Sequence, residues 1–437
     1  MFLNDIKYNW IGDIPKNWEV KRIKNLFYLK KEISENPEQE QVLSLTMKGI
    51  IKRDVSSNEG QLPDTYKGYT KIYPDDIVMN PMDLRSGWID RSKYDGIISP
   101  SYYVLNKLYN DLDIGFFNYQ LQRHYKERIF FSFGQGVSYD YRWGLGRETV
   151  LNFPIIVPPL EIQTQIVLFL DNKTQKIDEL IDKTEQKIKL LKEKRTSLIN
   201  HCITKGLNPN AEMKDSGVEW IGEIPKNWEI KKLKHLINKD GFIRGPFGSS
   251  LKIEFFVSDG YKVYAQKNAI YSNLSLGESF INEEKFQELS RFKIIENDIL
   301  MSCSGTIGKT TLVPKDFKEG IINQALMIIR LSNFEDISPK YLQKIMTSHF
   351  FETQIIDNSK GGAMKNLVGI DIFKNIKIPI QPLEEQNRIL EYFDKQSQKI
   401  DCYIEKETQR IELLKEYRQS LISDVVTGKI DVRDWNK

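Results

Sequence analysis

The stretch of this 437-residue chain that looks most like chemistry is CSGTIGKTT, Cys303 to Thr311. Glycines ahead of a lysine and a threonine suit a phosphate-cradling loop. There, backbone amides close on the oxygens, the ammonium neutralises them and the hydroxyl meets a magnesium ion. Such a loop needs a glycine five places before its second one, and that position holds Cys303. Gly305, Gly308 and Lys309 make a shorter loop with no long helix behind it, which argues against nucleotide hydrolysis. Ser304, Thr306 and Lys309 remain candidate donors to a nucleic-acid phosphate, and an ordinary tight turn is the competing reading. NPMD, Asn80 to Asp83, has the Asn-Pro of an amino-methyltransferase loop but lacks its second proline and aromatic residue, and no glycine-rich cofactor loop precedes it. No carboxylate–lysine cluster marks a nuclease. The cysteines (Cys202, Cys303, Cys402) are scattered and odd in number, and the four histidines are dispersed, so neither a disulfide framework nor a metal site is expected.

What accumulates instead is material for gripping a groove. SFGQGVSYDYRWGLGR, Ser132 to Arg147, interleaves Gln135, Tyr139, Tyr141, Arg142, Trp143 and Arg147 with four glycines. Flexible backbone, planar stackers and forked donors suit close approach to phosphates and base edges. DLRSGWIDRSK adds Arg85, Arg91 and Lys93. Farther on, GFIRGPFGSSLK brings Arg244, Ser249, Ser250 and Lys252, and SKGGAMKN brings Lys360, Lys365 and Asn366. Each loop alone reads equally well as ordinary surface; as a set, DNA contact is favoured. Lys and Arg number 63 against 60 Asp and Glu, a net charge of +3, so any attraction to a polyanion must be local.

These loops need a frame, and the frame is written twice. WIGDIPKNWEVKRIK, Trp10 to Lys24, recurs as WIGEIPKNWEIKKLK, Trp220 to Lys234, with eleven of fifteen positions identical. Trp10, Trp18, Trp220 and Trp228 therefore belong to the invariant part and are expected to anchor chain entry rather than read bases. A second duplication pairs residues 158–199 with 381–422 at an offset of 223. Each half is thus entry segment, body, then tract, and the second body is longer by 13 residues. The bodies share DDIVMNPMD with NDILMSCSG and GIISPSYYVL with GIINQALMII, while their loops differ, and they read as short strands plus helices such as SPKYLQKIMTSHFFETQI. The tracts have no internal glycine or proline and step by three and four: Ile181, Thr184, Ile188, Leu191, Arg195, Leu198, Cys202, then Ile404, Glu407, Ile411, Leu414, Arg418, Leu421, Val425. That is a heptad seam on a helix of ~60 Å, too long to bury its stripe alone, and its duplicate is the economical antiparallel partner. The fold expected is α+β: two pseudo-repeated mixed bodies joined by two long helices in an antiparallel coiled coil. No apolar run reaches the ~18 residues of a membrane span. Asp5 and Lys7 interrupt the start where a signal peptide is apolar, so a cytoplasmic protein is expected.

MKDSGVEWIGEIPKNWEIKKL, GPFGSSL, SGTIGK, and PPLEIQTQI or QPLEEQNRI followed by a heptad tract resemble the specificity subunit of type I restriction-modification enzymes over the whole chain. The resemblance implies target-recognition domains at 1–155 and 206–378. It also implies spacer helices at 156–205 and 379–437, the latter with a C-terminal tail. It implies a non-catalytic subunit that reads a bipartite site in double-stranded DNA and docks two modification (adenine methyltransferase) subunits and restriction/translocase subunits. S-adenosylmethionine, ATP and Mg are then expected on those partners, with no cofactor or metal in this chain. An orphan or silent specificity subunit, or a stand-alone two-site DNA-binding protein, has the same sequence appearance.

Overall fold

The computed structural model of the chain describes residues 10–55, 63, 65–136, 143–247, 250–357 and 370–435. The first body opens with β1 (Glu19–Arg22) and β2 (Phe27–Leu29), followed by two ribbon strands, β3 (Leu43–Thr46) and β4 (Gly49–Lys52). Next come β5 (Thr70–Ile72), β6 (Ile77–Met79), β7 (Ile89–Arg91), β8 (Gly96–Ile98) and β9 (Tyr103–Lys107). Helix α1 (Ile114–Lys126) is capped by the Asp113 carboxylate, which accepts from Gly115 N at 2.9 Å. A short hairpin, β10 (Gln135–Gly136) and β11 (Trp143–Gly144), leads through α2 (Arg147–Asn152) to β12 (Pro154–Val157), which pairs antiparallel with β1. Helix α3 (Leu160–Lys205) follows.

The central sheet has the order β2-β9-β6-β7, antiparallel throughout. Period-two alternation explains why β6 is buried on both faces. Ile77 and Met79 face the core that holds Phe116 and Phe117 of α1. Val78 faces a second cluster with Leu43, Ile50, Ile72 and Ile98. The turn into β6 puts Asp75 at φ 73°, and buried Asp76 fixes it, accepting from Tyr73 N at 2.9 Å and Lys30 Nζ at 3.0 Å.

The second body repeats that frame. A hairpin of β13 (Met213–Asp215) and β14 (Glu223–Pro225) precedes β15 (Glu229–Lys232) and β16 (Ile237–Arg244). Next come β17 (Phe256–Val257), β18 (Tyr261–Tyr264), α4 (Gln266–Ile270), β19 (Phe280–Ile281) and α5 (Glu283–Glu288). The chain continues with β20 (Ile299–Ser302), β21 (Thr310–Leu312), β22 (Gly320–Ile322) and β23 (Leu326–Leu331). Helices α6 (Pro339–Met346), α7 (His349–Asp357) and α8 (Ile370–Asn375) lead to β24 (Lys377–Ile380), paired with β15, and then to α9 (Leu383–Val426). The sheet β16-β23-β20-β21 corresponds to β2-β9-β6-β7, with Ile299 and Met301 facing one core and Leu300 another. The entering turn is built the same way: Asn297 at φ 69°, and Asp298 accepting from Ile295 N at 2.8 Å and from Arg330 at 2.7 and 2.8 Å. Burial pushes the Asp298 carboxyl up, and the Arg330 guanidinium pulls it back.

Three local readings of the sequence change. SPKYLQKIMTSHFFETQI is two helices, α6 and α7, because Thr347 N turns back to Lys344 O and Ser348 N to Ile345 O. GII pairs antiparallel with β5 in the first body but parallel with β18 in the second, where β19 is added. Trp18 and Trp228 are buried as anchors, whereas Trp220 is 43% exposed.

The two tracts are single helices of 46 and 44 residues, about 69 and 66 Å long. Compact packing divides the chain into residues 1–185 with 408–437, and residues 186–407, so each unit takes part of both helices. In the first unit Arg418 grips Asp178 at 2.9 Å, and Leu421, Ile422, Val425 and Val426 enter the core with Ile166 and Leu170. In the second, Arg195 pairs with Asp401 and Lys187 with Glu407, the falling and rising numbers of an antiparallel pair. Asp178 and Asp401, like Arg195 and Arg418, are 223 apart, so one ion pair is made twice with the helices exchanging roles. Of the seam, Thr184, Cys202, Glu407, Ile411, Leu421 and Val425 are buried, and Ile181, Ile188, Leu191, Leu198, Ile404 and Leu414 are half-buried.

Candidate nucleic-acid interface

In the first unit β6 delivers the chain to residues 80–88, a hairpin loop at one end of the sheet. Asn80 N bonds Trp88 O at 3.0 Å to close it, and the Asp83 carboxylate accepts from Arg85 N at 2.9 Å and Ser86 N at 3.0 Å. The guanidinium of Arg85 is thereby left exposed at the tip. The β10–β11 hairpin is tied alongside, Leu84 N to Trp143 O at 2.9 Å and Leu145 N to Pro81 O at 2.7 Å, which brings exposed Gln135 to the same end. Trp143 is occupied within the body: its ring stacks on Phe131 at 5.4 Å and its Nε1 donates to Phe131 O at 2.7 Å. Arg147, exposed at the start of α2, lines a cleft with Lys31, Tyr102 and Tyr103, again at this end. Arg91 is not brought there. It pairs across from Ile77 at the opposite end, 3.8 Å from Asp75, with Lys93 two residues beyond.

The corresponding end of the second unit carries the CSGTIGKTT loop. Ser302 N bonds Lys309 O at 2.9 Å, and the Ser302 hydroxyl accepts from Lys309 N at 3.0 Å and donates to Thr306 O at 2.6 Å. Gly305 and Gly308 take positive φ, 64° and 81°, so that the loop can wrap this hydroxyl. Two of its amides, Gly308 N and Lys309 N, are thereby committed to Ser302, and the loop joins two antiparallel strands, β20 and β21. It is no nucleotide cradle. Gln266 of α4 donates to Ser304 O and Thr306 O, and Lys309 lies exposed, its ammonium 3.9 Å from Glu352.

Arg244 ends β16 on the same side, exposed opposite Met327. Gly245 N bonds Leu326 O at 3.0 Å, and a Cβ on Gly245 would stand 1.9 Å from Asn323 O, so only glycine allows the strand to turn here. Ser250 N returns to Phe247 O at 2.9 Å, and Lys252 pairs with Glu254 at 3.4 Å on the way to β17. The Cys303 thiol beneath the loop is pushed by burial to about 12, and burial likewise lifts Cys202 to about 11, so neither is a nucleophile. Tyr139, Tyr141, Arg142, Ser249, Lys360, Lys365 and Asn366 lie outside the described residues.

The structure adds residues that motif reading passed over. Phe247 is 86% exposed and Tyr271, just after α4, is 70% exposed; Ser272 donates to Thr310 O at 3.3 Å, which sets Tyr271 at the loop-bearing end. The Gly-Pro before Phe247 was the available signal, since a rigid turn ahead of an aromatic residue holds it outward. Among the described residues no group of three or more His, Cys, Asp or Glu could hold a metal, and no helix is long and apolar enough to cross a membrane.

Residues 225–413 match the family described as "Type I restriction modification DNA specificity domain". Over nearly its full length the chain is 25% identical to the type I restriction enzyme MjaVIII specificity subunit of Methanocaldococcus jannaschii, covering 97% of this chain and 95% of that one. It is 23% identical to the putative MjaX specificity subunit of the same organism, with 98% and 97% covered. Two solved structures share the fold at 16% identity and 96% coverage of this chain. One comes from work on complex assembly and conformational transition of the type I R-M system, with TM-score 0.71 and all of that chain covered. The other is the HsdS subunit from Thermoanaerobacter tengcongensis, with TM-score 0.50 and 98% covered. In its doubled frame, its matching specificity domain at residues 225–413 and its end-to-end likeness to these proteins, the chain is similar to type I restriction-modification specificity subunits.

Proposed function

We propose that each unit reads one part of a bipartite target in double-stranded DNA with the loop-bearing end of its four-stranded sheet. In this reading the chain also carries two adenine-methylating modification subunits and the restriction subunits, which bring S-adenosylmethionine, ATP and Mg. The observation that carries it is a shared frame with unlike loop ends. The turns at Asp76 and Asp298 and the strand registers agree, yet one end offers Arg85, Gln135 and Arg147, and the other Arg244, Ser304, Thr306 and Lys309. Divergent donors on one scaffold suit two different half-sites. Docking of partners is supported by the second face of the helices, where Leu190 and Leu413, 223 apart, are 63% and 64% exposed. Function in a cytoplasmic setting follows from DNA as the target.

The test exchanges residues 28–153 for the equivalent body of a relative and sequences methylated adenines in cells carrying the subunit with its partners. One half-site should change and the other persist. A change in both halves, or in neither, rejects the assignment of one body to one half-site. Within the second unit, Arg244→Ala should weaken binding by ~1–3 kcal/mol if it forks onto a guanine, with relaxed specificity at that base; a phosphate contact would instead give a uniform loss and a shallower salt slope.

A further inference from the structure

We infer that Phe247 and Tyr271 insert into the base stack at the two edges of the half-site read by the second unit, fixing that half-site at about four base pairs. This rests on the proposed function and names what the two side chains do within it. Phe247 is 86% exposed and Tyr271 70%. A ring held in water adds almost nothing to the stability of the chain that carries it. Yet the backbone around each is built to hold it out.

Phe247 stands on a turn that permits little else. A Cβ at Gly245 would lie 1.9 Å from Asn323 O. Pro246 is buried behind it with φ fixed by its ring, and Ser250 N closes the far side on Phe247 O at 2.9 Å. Tyr271 is held by different means. Its amide bonds Lys267 O at 3.0 Å, and Ser272 after it takes φ 49°, a left-handed conformation uncommon outside glycine. Asn268, wholly buried, fastens that turn: it accepts from Ala265 N at 2.8 Å and donates to Asn273 O at 2.9 Å and Leu276 O at 2.8 Å. Strained backbone of this kind persists where surrounding bonds over-determine it, and it clusters where a ligand is gripped. An aromatic side chain has only two χ angles, so a ring on a rigid turn has little freedom left to lose on contact.

Placement identifies what the rings meet. The sheet order β16-β23-β20-β21 makes β16 and β21 its edges. Phe247 follows Arg244 at the end of β16, and the Ser272 hydroxyl ties the Tyr271 turn to the O of Thr310, the first residue of β21. The two rings thus bracket the loop-bearing end, about three strand spacings or ~14 Å apart. That is the rise of about four stacked base pairs at ~3.4 Å each.

The groups carried between them are Arg244, Ser304, Thr306 and Lys309, cations and hydrogen-bonding side chains rather than apolar ones. A protein partner would be met by a contiguous apolar patch. Separate rings with cations between them suit a ligand that alternates phosphates with flat apolar faces, which is a nucleic acid. In a duplex, apolar wedges such as Phe enter between base steps, unstack them and kink the helix. The adenine to be methylated must leave the stack, and a stack already opened at the edges of its half-site lowers the cost of that step.

The test uses the full-length chain with its modification subunits and duplexes carrying the target found by sequencing methylated adenines, with 2-aminopurine placed at one position at a time. In the second half-site, fluorescence should rise at two steps about four base pairs apart. Phe247→Ala should remove one rise and Tyr271→Ala the other, each weakening binding roughly 5- to 150-fold. Signals in the first half-site and the melting midpoint of the chain should stay unchanged. Phe247→Trp and Tyr271→Phe should keep both rises, which ties the effect to a stacking face. Rises that persist in the folded alanine variants, or that both vanish in either one, would overturn the inference. Arg244→Ala weakening binding while both alanine variants bind as wild type would overturn it too and leave the proposed function standing. Binding indifferent to all three substitutions would instead reject the loop-bearing end as the DNA-reading surface, and the inference with it.

Discussion

Residues 1–209 contain one entry segment, one body and all of α3 but lack α9, and what that removal costs can be worked out from the first unit. Leu421, Ile422, Val425 and Val426 are 7%, 4%, 0% and 0% exposed in its core. At ~1.5–3 kcal/mol per buried side chain their loss amounts to about 6–12 kcal/mol, comparable with the whole stability of a domain. A second copy of the fragment can restore nearly all of it. Its α3 presents Leu198, Ile199, Cys202 and Ile203 at the same offsets, and its Arg195 can replace Arg418 on Asp178. The edge contact of Trp435 on Phe169, at 5.3 Å, has no substitute and costs about 0.5–1.5 kcal/mol. The fragment should therefore sediment as a dimer at micromolar concentration, with an isologous two-fold axis across the helices. With modification subunits it should methylate an interrupted palindrome. A soluble, folded monomer at that concentration would refute the reasoning, because the exposed apolar stripe would then have no cover.

His124 gives a pH prediction. Burial first, then neighbouring Arg123, holds its imidazole down to about 3 from an ordinary 6.5. The folded value is depressed, so the unfolded chain takes the proton first: stability is full above pH 6.5 and is lost as pH falls toward 3, by ~1.4 kcal/mol per pH unit. The ring sits against Phe130 and Phe153, so His124→Phe should flatten the acid slope of the unfolding midpoint between pH 6.5 and 4.5, and an unaltered slope would reject this origin. A circular permutant opened at the exposed residues 207–210, with residue 437 joined to residue 1 by a short linker, should fold and melt within a few degrees of wild type. Trp18 already packs on Gly428 beyond the end of α9 as Trp228 packs on Gly206 beyond the end of α3, so a permutant that aggregates would show that the two junctions are not equivalent.

The sequence by itself determined the doubled frame, because repetition and heptad spacing are properties of order along the chain. Matching residues at offsets of 210 and 223 required no coordinates, and a glycine- and proline-free tract stepping by three and four can bury its stripe only as a helix. Its charged interruptions were legible as interruptions; that Arg195 finds Asp401, and Arg418 finds Asp178, depended on antiparallel register. The mismatch to a nucleotide-cradling loop at Cys303 was likewise readable, while the commitment of Gly308 N and Lys309 N to Ser302 was not. The candidate site divides the same way. Residue types marked Arg85, Arg91 and Trp143 alike, since each is a cation or a stacker near glycines. Only strand pairing sends Arg85 and Arg91 to opposite ends of one sheet, and only packing turns the Trp143 indole onto Phe131. Which side chains converge is decided by contacts between residues far apart in sequence, and local spacing carries no record of them.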